Sequence, residues 1–101
     1  MIEISIKKNN GVINYIKVSG HSGYAEAGYD IVCASISSIS VTTVNAILSY
    51  NDEALVYTEA DGLLEMGITK HDDIIDMLVS NMINLFQSLA KQYPKNIKFK
   101  N

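Results

Sequence analysis

Ala54-Leu55-Val56-Tyr57-Thr58-Glu59-Ala60-Asp61-Gly62-Leu63-Leu64-Glu65-Met66-Gly67-Ile68 is the stretch that decides the fold. Two strand-like runs, 54–60 and 63–68, meet at Asp61-Gly62, and Asp-Gly between such runs is a strong hairpin signal. Its surroundings make it decisive. Upstream, residues 31–49 read as a helix; downstream, a second helix runs from about Asp72 to Tyr93. A doubly wound parallel sheet would place single strands between its helices. A hairpin between helices calls instead for an antiparallel or mixed sheet with the helices packed on it.

The chain opens in the same way. Ile2, Ile4 and Ile6 alternate with Glu3, Ser5 and Lys7, which predicts a half-buried strand over 2–7. Asn9-Asn10-Gly11 supplies a turn tolerant of positive φ. A second strand is expected over 12–19, with Ile16 and Val18 on one face and Tyr15 and Lys17 on the other. The first helix carries two stripes, Val32-Ile36-Ile39-Thr43 and Cys33-Ser37-Val41-Val44-Leu48; its Ser, Thr and Val content weakens local propensity, so packing must stabilise it. In the second helix Ile75, Leu78, Met82, Leu85 and Leu89 form the apolar stripe, Thr69 or Asp72 is the candidate cap, and Pro94 ends the run. Ile97 and Phe99 alternate with lysines and predict a short last strand. The expected order is β-β-α-β-β-α-β, an α+β fold in one domain over residues 1–101.

Composition narrows the function. Hydrophobic residues make up 48% of the 101, enough for a core built mainly of Ile, Val, Leu and Met. A formal net charge of −3 argues against a broad nucleic-acid surface, and the lysines fall in two small groups, Lys7-Lys8 and Lys91 to Lys100, read as solvated ends of elements. A single cysteine leaves no internal disulfide and no thiolate-rich zinc site. His21, Asp30, Cys33 and His71 follow no recognised metal-ligand spacing, so no metal or cofactor is expected. No G-x-S-x-G supports a serine nucleophile. Without a leader-like start or an unbroken run of 18 apolar residues, a soluble cytoplasmic protein with no membrane partner is expected.

The chemistry concentrates in Gly20-His21-Ser22-Gly23-Tyr24-Ala25-Glu26-Ala27-Gly28-Tyr29-Asp30-Ile31-Val32-Cys33. With Asp30 as N-cap, Cys33 falls in the first turn of the first helix, where N–H groups and the helix dipole favour a thiolate. His21 ends the second strand and is a candidate base; it also reads as a turn residue or a partly buried polar group. Cys33 reads equally as a small core residue. Asp30 reads first as a cap and second as a group that orients His21. Ser37, one turn from Cys33, is a packing residue or a contact to the thiol. The segment 22–29, with Gly23, Tyr24, Gly28 and Tyr29, is either a plain loop or a flap over a site. His71, beside Asp72 and Asp73, reads as a solvated helix start.

Gly20-His21 through Gly28, then Asp30-Ile31-Val32-Cys33-Ala34 and Ser37, resemble the signature of the ribosomal-processing cysteine protease Prp family. The signature covers about a fifth of the chain, and the length and ββα halves fit throughout. The resemblance implies a cysteine endopeptidase with Cys33 as nucleophile and His21 as its histidine. Asp30 and Ser37 match signature positions near the site. The implied substrate is the N-terminal extension of large-subunit ribosomal protein L twenty-seven, cut after an apolar, aromatic-containing segment. A homodimer and a moving His-to-Cys loop are also implied. Family members often carry Ala at the positions of Ser22 and Ser35. The expected mechanism is acyl transfer, with first-turn N–H groups at Cys33 and Ala34 holding the oxyanion and Tyr24 and Tyr29 touching the peptide. The competing reading is a non-catalytic, ribosome-associated binding module with a structural cysteine. A thiol redox sensor lacks a resolving cysteine.

Overall fold

The computed structural model describes residues 1–26 and 30–100. Its elements follow the expected order: β1 (Ile2–Asn9), β2 (Val12–Ser19), α1 (Ile31–Tyr50), β3 (Leu55–Ala60), β4 (Leu63–Ile68), α2 (Asp73–Gln92) and β5 (Ile97–Lys100). The strands form one mixed sheet in the order β3-β4-β2-β1-β5, antiparallel except where β5 runs parallel to β1. Both hairpins turn where the sequence places them. Asn10 and Gly11 take φ of 54° and 80° between β1 and β2, and Ala60 pairs with Leu63 across Asp61-Gly62.

Register puts the branched residues on one face. Ile4 lies opposite Val18, Ile16 opposite Met66, Val18 opposite Leu64, and Ile2 beside Ile97. All of these are buried, whereas Glu3, Ser5, Lys17 and Glu65 on the other face are only half-buried. The helices cover the apolar face: α1 packs on α2 and β3, and α2 on β2 and β5. Ile75, Val79, Met82, Ile83 and Phe86 fill the space between.

The buried stripes differ in detail from those the spacing predicts. In α2 the core-facing residues are Ile75, Val79, Met82, Ile83 and Phe86; Leu85 is exposed and Leu78 and Leu89 sit at the margin. In α1 Val32, Ile36 and Thr43 of the first stripe are buried with Ser40, Ile47 and, from the second stripe, Val44, while Ile39 is half-buried and Ser37 and Val41 are exposed. The α1 sequence carries no charge, so its two faces are hard to tell apart from hydropathy. By length and composition alone α1 would also suit a bilayer; here its inner face belongs to the core. Buried Ser40 and Thr43 are satisfied within the helix, donating to the carbonyls of Ile36 and Ile39.

Both helices begin on an aspartate. Asp30 Oδ1 accepts from the N–H groups of Val32 (3.0 Å) and Cys33 (2.9 Å). Asp72, rather than Thr69, caps α2: its Oδ1 accepts from Ile75 N–H (2.8 Å) and its Oδ2 from the Tyr50 hydroxyl (2.7 Å), which ties the end of α1 to the start of α2. Thr69 instead donates to the Glu53 carbonyl. The Ile75 N–H, then the Tyr50 hydroxyl, hold the Asp72 carboxyl below its ordinary range against a smaller opposing effect of burial. Burial pushes the Asp30 carboxyl up, but hydrogen bonds from the Ser22 hydroxyl and from Cys33 and Val32 outweigh it, and the net direction is down.

A carboxyl depressed in the folded state stabilises above its unfolded pKa of about 4, and that contribution is lost as pH falls through the folded value. The thermal midpoint is therefore expected to hold from pH 7 to about 5 and then to fall, with Asp72→Asn removing part of the acid slope. A slope unchanged by Asp72→Asn would contradict this role. Gly20 closes β2 at φ 93°, and a Cβ there would lie 2.3 Å from the Met1 carbonyl oxygen. Gly20→Ala is expected to cost about 1–3 kcal/mol in urea denaturation, with an unchanged m-value.

Candidate active site

Cys33 and His21 reach the same cleft from different elements. Cys33 lies in the first turn of α1, fixed by the Asp30 cap. His21 follows the last strand residues of β2, whose end is tied to the β3–β4 hairpin by Gly20 N–H donating to the Gly62 carbonyl (2.9 Å). The imidazole is largely exposed and rests on Gly62: a Cβ at that position would sit 3.0 Å from His21 Nε2. Asp61 Oδ1 lies 4.0 Å from the same nitrogen. A Cβ here would crowd the ring, and glycine also supports the φ of 69° at this turn.

The cleft has a volume of about 510 Å³. Besides His21 and Cys33, Ser37 lines it, with an apolar floor including Ile2, Val18, Ile36 and Leu64. Glu59 and Asp61 stand along the hairpin side. The half-buried Cys33 Sγ accepts a hydrogen bond from the Ser22 backbone N–H at 3.4 Å. A thiol at a helix N-terminus and an imidazole that line one open cleft with an apolar floor are groups suited to nucleophilic attack on a peptide carbonyl. Among the described residues, no three His, Cys, Asp or Glu side chains gather as metal ligands.

The structure sorts the other candidates. Asp30 is the cap, and its free oxygen accepts from the Ser22 hydroxyl rather than from His21. Gly20 lines the cleft; Gly23 follows Ser22 in the turn. Tyr24 packs its ring edge-on against Tyr93, with centroids 5.5 Å apart, and is not part of the cleft lining. Gly28 and Tyr29 lie outside the described residues. His71 is remote in role, paired through Nδ1 with Asp76 Oδ1 at 2.8 Å at the start of α2.

One expectation fails outright. The first-turn N–H groups assigned to an oxyanion are already used: Cys33 N–H donates to Asp30 Oδ1 and Ala34 N–H to the Asp30 carbonyl (3.1 Å). The cap that favours the helix consumes them.

Two residues to which sequence reasoning gives no structural role matter here. Ser22 is 2% exposed and uses every polar group it has: hydroxyl to Asp30 Oδ2, N–H to Cys33 Sγ, carbonyl to Asn96 Nδ2 at 3.0 Å, and Oγ accepting from Tyr24 N–H at 3.1 Å. Asn96, between α2 and β5, also accepts Ile2 N–H on its carbonyl (2.8 Å) and so bolts the loop to β1. Asn96 shows neither periodicity nor a motif, and Ser22 lies within the family signature at a position that often carries Ala. The nearest signal is Ser22-Gly23 followed by an aspartate eight residues on.

The profile of the family described as "Cysteine protease Prp" matches residues 1–98. The Ribosomal processing cysteine protease Prp of Bacillus subtilis is 32% identical over 114 residues, covering 97% of this chain and 95% of that protein. Its Staphylococcus aureus counterpart is 28% identical over 102 residues, covering 97% and 96%. Among solved structures, the S. aureus ribosomal processing protease Prp with a covalently linked product peptide superposes with a TM-score of 0.92 at 27% identity, covering 99% of this chain and 98% of that one. The same protease with a substrate peptide gives 0.86 at 26%, with the same coverage. A cleft holding the chain's one thiol, a fold shared along the whole length and a family match over residues 1–98 lead to one assignment: this chain belongs to the Prp family of cysteine proteases.

Proposed function

We propose that this protease removes the N-terminal extension of large-subunit ribosomal protein L twenty-seven, with Cys33 as nucleophile and His21 as general acid and base. The observation that carries the reading is the shared cleft: Cys33 Sγ, at the start of α1 and under the Ser22 N–H, opens into the same space as the His21 imidazole. Relatives named for ribosomal processing, one of them solved with a substrate peptide, support the substrate class.

The chemistry follows from the groups present. Sulfur, as thiolate, attacks the scissile carbonyl carbon; an S–C bond forms and the C=O π pair moves to oxygen. The tetrahedral intermediate collapses, the C–N bond breaks, and the leaving amine takes a proton from the His21 imidazolium. Neutral His21 then takes a proton from water as the water oxygen attacks the thioester. Collapse of that second intermediate releases the acid and restores the thiolate and imidazolium. The apolar floor of Ile2, Val18, Ile36 and Leu64 suits the apolar, aromatic-containing segment before the cut. In this reading the enzyme works in the cytoplasm as a homodimer, and Ser37 borders the bound peptide beside Cys33.

A synthetic peptide spanning the extension and the first mature residues is expected to be cut once, as read by mass spectrometry. Cys33→Ala should abolish the cut and His21→Ala should slow it by about 100- to 10,000-fold. Cleavage that survives Cys33→Ala, or no cleavage by the unaltered protein, would overturn the reading, the latter in favour of a binding module. Sedimentation is expected to give twice the 11.1 kDa chain mass; a monomer would remove the dimer from the proposal.

A further inference from the structure

We propose that the Ser22 backbone N–H is the donor that stabilises negative charge at the reaction centre, and that the Ser22 hydroxyl is a positioning group that holds this donor in place through Asp30. The inference rests on the protease reading given above.

Three observations converge on it. The first-turn N–H groups of Val32, Cys33 and Ala34 all donate to Asp30, so none of these three is free to meet charge beside the sulfur. The Ser22 N–H, by contrast, has Cys33 Sγ as its acceptor. When the sulfur bonds to the substrate carbon, the charge moves from sulfur to the carbonyl oxygen on that same carbon. A donor already aimed at the sulfur needs only a small swing to meet it, and donors aimed where charge develops are those that accelerate acyl transfer. Lastly, Ser22 is fixed on three sides, by Asp30 through its hydroxyl, by Asn96 through its carbonyl and by Tyr24 N–H.

The hydroxyl has a second effect. Ser22 occupies Oδ2 and the α1 N–H groups occupy Oδ1, which leaves the sulfur to the Ser22 N–H. The other titratable groups facing the sulfur are His21, from the end of β2, and Glu59 and Asp61, from β3 and its hairpin across the cleft.

The test compares Ser22→Ala, which keeps the N–H and removes the tether, with Ser22→Thr, which keeps both. Ser22→Ala is expected to lower kcat about three- to tenfold with KM unchanged. It should also weaken a peptide aldehyde, which forms a tetrahedral adduct with the thiol, by the same factor. The rate of alkylation of Cys33 by iodoacetamide at neutral pH should also fall. Ser22→Thr should restore all three. The alkylation arm needs no protease activity, so a protein that cuts no peptide defeats the reading above while still reporting on Ser22. An Ala variant with an unaltered kcat and alkylation rate would overturn the proposal. So would losses that simply follow a lowered thermal midpoint and that Thr does not reverse.

Discussion

The Asp30 carboxylate is the interaction on which the site depends. One oxygen satisfies two N–H groups at the start of α1 and fixes where Cys33 sits. The other takes the Ser22 hydroxyl and fixes where the chain leaving β2 sits. A single side chain thus joins the two segments that carry the thiol and the imidazole, which lie twelve residues apart in sequence. Cap bonds of this kind are worth about 1 kcal/mol each in a helix. Their larger effect here is geometric, because they convert a glycine-containing connection into a defined approach of Ser22 to the sulfur.

The sheet supplies the fixed frame. β2 is interior, flanked by β1 and β4, so its end cannot drift. Gly20 closes that strand against the Met1 carbonyl on one side and bonds to the Gly62 carbonyl on the other. The His21 ring then lies on Gly62, where a Cβ would crowd it. The hairpin that distinguishes this fold from a parallel α/β sheet is therefore also the wall on which the histidine rests. Fold topology and site geometry meet at Asp61-Gly62.

Much of this was legible in the sequence. Alternation in Ile2-Ile4-Ile6 and the two turn signals give the hairpins, and two aspartates with following apolar runs give both helix starts. The Gly-His and Asp-Ile-Val-Cys-Ala segments carry the family resemblance, and the family match over residues 1–98 agrees with it. Periodicity was a poorer guide to which face of α1 is buried, because a helix of Ser, Thr, Ala, Val and Ile presents little contrast between its sides. In α2 the expected stripe ran through Leu85, while Val79 and Phe86 fill the core. The roles of Ser22 and Asn96 were not legible at all. They are single polar residues in connections, and what they do depends on contacts between segments 74 residues apart. A related reason removes two first-turn donors from an oxyanion role: Asp30 already accepts the N–H groups of Cys33 and Ala34.

The central claim is that Cys33 becomes acylated by the segment it cuts from its substrate. Rapid-quench intact-mass measurement with the extension peptide tests it most directly. The account expects a transient adduct equal in mass to the amino-terminal product less one water, mapped by digestion to Cys33 and absent from Cys33→Ala. Cleavage that proceeds with no such adduct, or with the adduct on another residue, would contradict it.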